Sequence, residues 1–135
     1  MQRQLWLCIP PTVLCLLDQG LTLWYQPAEY WAGDYSIANE ASPPMRWLLQ
    51  QHPLAFEAGA LVWNVLFCGV LCLLPQRAAM TVCIALVLGH TWGASTWIAN
   101  FVPFGYWVTI GLFLASAILI VATWERYSAA EPSRK

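Results

Sequence analysis

The fold is decided by four apolar stretches, and the last of them reads FGYWVTIGLFLASAILIVATW from Phe104 to Trp124. It contains no charged side chain, and a helix of roughly 20 residues is long enough to cross a hydrocarbon core of about 30 Å. Three earlier stretches are similar in length and character, at residues 5–25, 54–74 and 79–99. The sequence therefore predicts an all-α, four-helix transmembrane bundle that forms one integral membrane domain over residues 1–135.

The composition agrees with a chain that is solvated mainly by lipid. Of its residues, 59% are hydrophobic and 10% are charged, which is too little polar surface for a small soluble domain. Nine Trp residues fit repeated crossing of the lipid–water interface, where the indole ring is favoured. The net charge of −1 gives no reason to expect a nucleic acid, so the lipid bilayer is the expected partner.

Basic residues predict the orientation of the bundle. Five lie in flanks on one side of the predicted membrane and only Arg46 lies on the other, and the positive-inside rule assigns the richer side to the cytoplasm. These five are Arg3, Arg77, Arg126, Arg134 and Lys135. Both termini are then cytoplasmic, including the tail 125–135, and the loop 26–53 is outside. Asp18 within the first stretch, and the lack of a small-residue cleavage pattern after it, argue against a cleaved signal. The expected location is a bacterial inner (plasma) membrane.

The outer loop is predicted to be ordered, because its Trp and Tyr residues can anchor it to the bundle. Pro43-Pro44 precedes Met45–Gln51, which indicates a short interfacial helix that ends before Pro53. Three side chains of this helix are expected to enter the lipid, Trp47, Leu48 and Leu49. The loop also carries Glu29, Asp34 and Glu40, which form either a solvated acidic surface or a group that covers a polar site or binds a cation.

A weakly polar stripe follows one face of each predicted helix, at the intervals of three, four or seven residues that share a helical face. Burying these stripes against one another leaves Leu, Ile, Val and Phe for the lipid. The stripes are Pro11, Cys15, Asp18, Thr22 and Tyr25 in the first helix, Glu57, Asn64 and Cys68 in the second, Cys83, His90 and Trp97 in the third, and Thr109, Ser116 and Thr123 in the fourth.

Three ionisable side chains on these stripes, Asp18, Glu57 and His90, mark a candidate site. An ionisable group within a bilayer costs several kcal/mol by insertion scales and usually faces a bundle interior or a wet cavity. Depths estimated at about 1.5 Å per residue put all three in the outer half of the bundle, so we expect them to converge. The candidate binding residues are Asp18, Thr22, Glu57, Asn64, His90 and Trp97, with Glu40 as a contribution from the loop.

Five cysteines lie within the predicted spans, at positions 8, 15, 68, 72 and 83. Small apolar packing is the ordinary role of such residues, and a thiol metal or redox site centred on Cys68 and Cys72 is the alternative. The pattern Gly89-His90-Thr91-Trp92-Gly93 predicts close approach of a neighbouring helix to the imidazole. Metal content and cofactors stay open, since no paired-His or Glu-x-x-His motif occurs in the sequence.

One resemblance covers roughly the first half of the chain. Asp18 followed by Thr22, and then NEASPPMRWLL from Asn39 to Leu49, resemble a family of small prokaryotic multi-pass membrane proteins of unknown function. In that family an Asp and a Thr in the first helix precede a Glu-x-Asn-Pro-like segment and a short hydrophobic helix. Ser42 and Pro43 stand where that family tends to have Asn-Pro. The resemblance implies no known activity, and it implies that Asp18 and Glu40 are paired features of one site.

Two classes of function follow from these residues. A non-catalytic accessory subunit, or a small ligand-binding, ion-binding or transport module, needs only an outward-opening polar site, and it could work as a homo-oligomer or within a larger membrane complex. An intramembrane enzyme would use Asp18, Glu57 and His90 as acid/base groups or metal ligands, and it would also need a nucleophile or an activated water. The absence of a Gly-x-Ser-x-Gly or nucleotide-binding motif favours the first class.

Overall fold

The computed structural model of the chain describes residues 4–129, and all the regular structure within this range is helical. Four long helices are present, α1 (Leu5–Trp24), α4 (Pro53–Leu73), α5 (Gln76–Phe101) and α6 (Gly105–Ala129). Two short helices, α2 (Ala28–Trp31) and α3 (Pro43–Gln51), and a 3-10 turn at Tyr35–Ile37 lie between α1 and α4. The long helices are each long and apolar enough to cross a membrane, which confirms the all-α fold with four candidate spans. Arg3, Arg134 and Lys135 lie outside the described residues.

Prolines determine where several helices begin. α4 begins at Pro53 and α5 begins directly after Pro75, because a fixed φ and a missing N–H suit the start of a helix. Pro53 therefore opens α4, and the short helix before it has already ended at Gln51. Between them His52 is extended, and its Nδ1 accepts the backbone N–H of Leu54 at 3.1 Å. The loop helix begins earlier than the sequence indicated, at Pro43.

α1 lies at the centre of the bundle, where it packs against α4, α5 and α6. In its apolar window 44% of the residues are buried, against 11% for α6, so α1 is the most buried of the four long helices and α6 the least. We call the end of the bundle that holds the segment between α1 and α4 the loop end, and the opposite end the terminal end. A core cluster fills the bundle towards the terminal end: Leu7, Cys8, Leu14, Leu71, Ala79, Cys83, Val87 and Tyr127.

The segment between α1 and α4 is packed onto the loop end. Tyr30 and Leu49 are fully buried there with Phe56 of α4, and the Tyr30 hydroxyl donates to the Leu49 carbonyl at 3.0 Å. Burial raises the pKa of Tyr30 to about 12, because apolar surroundings disfavour the charged phenolate. The expectation that Leu49 enters lipid is wrong, because its side chain is fully buried in this cluster. Leu48 is partly buried and packs against the same cluster. Trp47 is 61% exposed.

Candidate functional site

An Asp–His pair joins the two most extensively packed helices. His90 of α5 and Asp18 of α1 are both half-buried, and the ring Nδ1 lies 3.1 Å from the carboxylate Oδ2. Gly93 makes this approach possible, because a Cβ at that position would lie 2.5 and 2.6 Å from the two carboxylate oxygens. The predicted close approach beside His90 therefore occurs at Gly93, whereas a Cβ at Gly89 would meet nothing.

Cys15 connects this pair to α4. Its sulfur accepts the side-chain amides of Gln19 at 2.9 Å and of Asn64 at 3.1 Å, and it also lies close to the His90 ring. Cys15 is 1% exposed and Gln19 is 7% exposed. Asn64 thus contacts the predicted polar interior through the Cys15 thiol. The sequence alone had favoured a simple packing role for this cysteine.

Thr22 and Trp97 form a second link between α1 and α5, nearer the loop end. The Trp97 indole Nε1 donates to the Thr22 hydroxyl at 3.0 Å, and both residues are buried. The indole also stacks on Tyr25 and Phe101, at centroid distances of 6.2 and 5.7 Å. A buried Trp needs an acceptor for its N–H, so this bond fixes the position of the Trp97 ring on the loop-end side of Asp18.

The structure does not bring Glu57 to the Asp–His pair. Glu57 is exposed and lines a separate groove of about 400 Å³ between α1 and α4, which it shares with Gln19 and Asn64. The reason lies in helical geometry, since successive residues differ by about 100° around the axis. Phe56 occupies the inward-facing position, so the next residue is turned out of the bundle.

Two cavities meet at Asp18, Thr22 and Glu40, which line both of them. The first has a volume of about 230 Å³ and the second about 220 Å³. The first is completed mainly by apolar side chains and by His90, and the second by both polar and apolar ones. The remaining lining residues of the first are Gln19, Ser42, Pro44, Met45, Phe56, Trp63 and His90, and those of the second are Asn39, Ala41, Gly93, Thr96, Trp97, Asn100 and Phe101.

Gln26 holds the loop over these cavities. Its buried side chain donates to the Thr22 carbonyl at 2.7 Å and to the Asn39 carbonyl at 2.8 Å, and its Oε1 accepts the Asn39 N–H at 2.8 Å. Asn39 is thereby tied to the end of α1, and this brings its neighbour Glu40 next to Asp18. The resemblance implied that these two carboxyl groups belong together, and they do line the same cavities.

The Glu40 carboxyl sits in a partly dehydrated position. Burial, which penalises the charged form, raises the pKa of Glu40 above its ordinary value of 4.5, and the nearby charge of Asp18 raises it further. Its Oε1 accepts the Ser42 N–H at 2.7 Å, and the charge of Arg46 also acts to lower the pKa. Because the net effect is an increase, the site would gain from a bound positive charge that stabilises the carboxylate.

Metal ligation finds no support in residues 4–129, where no group of three or more His, Cys, Asp or Glu side chains could hold a metal ion. All five cysteines are free thiols, and three of them are buried. The Cys8 and Cys68 thiols make long contacts, the first to the Cys68 carbonyl at 3.8 Å and the second to the Thr12 hydroxyl at 3.7 Å, as packed thiols do.

By its four apolar helices, this chain has the architecture of an integral multi-pass membrane protein. Comparison with known proteins finds no matching family model, no matching curated protein and no matching solved structure. Function must therefore be argued from the site itself.

Sequence reasoning missed two residues of this site, Gln19 and Gln26. Gln19 is the only Gln within the four predicted spans, which was a usable signal, although it falls off the stripe that contains Asp18. Gln26 follows the end of α1, and no local pattern distinguishes a loop glutamine that is clamped from one that is solvated.

Proposed function

We propose that this chain is a multi-pass protein of a bacterial inner (plasma) membrane that binds a small ligand without catalysis, in a polar site open towards the outer side. It would act as a ligand-binding or transport module, or as an accessory subunit that presents this site to a partner. The observation that carries the proposal is that the Asp18–His90 pair shares a cavity with Glu40 of the loop.

Physical cost supports a functional role for this arrangement. Ionisable groups within a bilayer are expensive, and a contact between two helices could be made by Leu or Ile without that cost. Here two carboxyl groups and an imidazole face a space large enough for a ligand. Gln26 holds the segment that carries one of these groups, Glu40, through its bond to the Asn39 carbonyl. Such convergent polar groups in an otherwise apolar cavity are typical of small-molecule sites.

Charge distribution supports the outward direction of the opening. Arg77 and Arg126 lie at the terminal end, and Arg126 stacks over the Trp6 ring at 5.7 Å from its centroid. Glu29 and Asp34 lie in the loop at the opposite end, where Arg46 is the only Lys or Arg. The positive-inside rule then assigns the loop end, and with it both cavities, to the outer side.

A catalytic role is the second candidate, because the Cys15 thiol lies beside the His90–Asp18 pair. In such an arrangement Cys15 would be the nucleophile, His90 the base and Asp18 the group that orients the base. The thiol, however, is 1% exposed and lines neither cavity. A substrate in the cavity would meet the carboxylates and not the sulfur, so binding is the better supported function.

Water access to the cavity tests the proposal. A membrane-impermeant maleimide added to intact cells should label Thr96→Cys, which lines the second cavity, and should spare Ile110→Cys, which is exposed on α6. The two positions are matched in depth, because each lies five residues from the α5–α6 turn (101 − 96 and 110 − 105). The unmodified chain gives the background of the native thiols. Equal protection of both positions would contradict an outward-opening site.

A further inference from the structure

The charge of the cavity walls selects the sign of a ligand. Asp18 and Glu40 face both cavities, His90 faces the first, and no Lys or Arg among residues 4–129 lines either of them. A protonated His90 ring would balance Asp18 and leave Glu40 as the uncompensated charge, whereas a neutral ring would leave both carboxylates uncompensated. In either state the site is negative, so it repels anions and attracts a cation.

Arg46 does not change this sign. Its guanidinium donates to the backbone carbonyl of Glu40 and lies on the exposed side of the loop, where solvent screens its charge. The carboxyl oxygen Oε1 of Glu40 is instead bonded to the Ser42 N–H. The carboxylate is therefore available to a ligand in the cavity.

The apolar part of the walls selects the kind of cation. Met45, Phe56 and Trp63 line the first cavity, and these side chains offer no ligand to a hard metal ion, which requires oxygen donors. These side chains would stabilise a bound organic ammonium ion in two ways. They would bury its apolar body, and an aromatic face would attract its charge. The second cavity, with Asn39, Thr96 and Asn100, is polar enough to hold water around the charged group.

The volume sets the size of the ligand. A closed apolar cavity of about 150 Å³ accommodates benzene, and the first cavity here has about 230 Å³. A phenyl-sized body with a short aminoalkyl chain would fill it, with the ammonium group at the wall formed by Asp18 and Glu40.

We propose that the cavity at Asp18 and Glu40 binds a small organic ammonium ion, with its charge between the two carboxylates and its apolar body against Met45, Phe56 and Trp63. This assignment rests on the proposed binding function and specifies its ligand class. The same chemistry occurs in a free amine and in the ammonium headgroup of a lipid.

Calorimetric titration of the full chain in phosphatidylglycerol nanodiscs tests the ligand class with two probes of nearly the same shape, 2-phenylethylammonium and the neutral 2-phenylethanol. The ammonium ion should bind at least tenfold more tightly. Glu40→Gln should lose at least tenfold in affinity, while Glu29→Gln, an exposed carboxylate of the same loop, should leave it unchanged. Equal binding of the two probes, or unchanged affinity in Glu40→Gln, would overturn the assignment.

Lipid composition separates the two sources of the ammonium group. If the site takes lipid headgroups, replacing an uncharged glycolipid of the nanodiscs by phosphatidylethanolamine, with the phosphatidylglycerol fraction held constant, should weaken binding of 2-phenylethylammonium by competition. If the site takes free amines, the affinity should not change. Both results support the ligand class. If Thr96→Cys is labelled from outside but the protein shows no preference for the ammonium probe, only the ligand class is refuted. If Thr96→Cys is not labelled, the proposed binding function itself is refuted.

Discussion

Gly93→Ala tests the geometry on which the site depends. The added Cβ would lie 2.5 Å from one Asp18 carboxylate oxygen, and ordinary contact begins at 3.4 Å, so the carboxylate must move by about 0.9 Å or α1 must move away from α5. Either shift stretches the 3.1 Å contact between Asp18 and His90. We expect that hydrogen bond to be lost or severely weakened.

The size of the effect follows from measurements on membrane helices. Interhelical hydrogen bonds in a bilayer contribute about 0.6 kcal/mol on average and up to about 1.7 kcal/mol. Replacing Gly by Ala also stabilises a helix by roughly 0.5–1 kcal/mol, which would hide much of the loss. Gly89→Ala is the matched control, because it lies in the same helix and its Cβ would meet open space. Gly93→Ala should therefore be less stable than Gly89→Ala by about 0.6–1.7 kcal/mol.

Equilibrium unfolding in mixed micelles gives both free energies of unfolding. The same pair of substitutions in an Asp18→Ala background completes a double-mutant cycle, and there the difference between the two variants should disappear because no carboxylate meets the new Cβ. Equal stability of Gly93→Ala and Gly89→Ala with Asp18 present would refute the close approach.

Three further outcomes are expected. Asn64→Leu should destabilise the bundle by about 0.6–2 kcal/mol through loss of its bonds to Cys15 and to the Ala60 carbonyl, and an unchanged unfolding midpoint would show that these bonds contribute nothing. Ser36→Cys should be labelled from outside intact cells and Ser133→Cys, beyond the described residues, only after permeabilisation; the reverse would overturn the orientation. Because the pKa of Glu40 is raised above 4.5, affinity for 2-phenylethylammonium should fall as the pH is lowered, with a midpoint above 4.5 that is absent in Glu40→Gln.

The helical fold was predictable because span length and apolar composition are properties of the local sequence. The four stretches at 5–25, 54–74, 79–99 and 104–124 match α1, α4, α5 and α6 to within a few residues at most ends. The largest differences are the last turn of α6, which continues to Ala129, and the start of α5, which begins directly after Pro75.

The site was predictable only where a helix has a wide buried face. α1 and α5 are the most buried of the long helices, and along their stripes Asp18 pairs with His90 and Thr22 with Trp97. In α4 only 17% of the apolar window is buried, so a rotation of one residue is enough to exchange Glu57 for Phe56 at the inward position. The contribution of the loop depends on the Gln26–Asn39 clamp, a contact between distant backbone groups that no periodicity reveals.

The central claim is that Asp18, and not Glu57, is the partner of His90, and nitrogen NMR of the His90 ring in nanodiscs tests it most directly. Since the Asp18 carboxylate can only accept a hydrogen bond, Nδ1 should carry a proton in the wild-type protein. Asp18→Asn should redistribute that proton towards Nε2 and shift both ring nitrogen signals, whereas Glu57→Gln should leave them unchanged. Unchanged signals in Asp18→Asn, or an equal change in Glu57→Gln, would contradict the account.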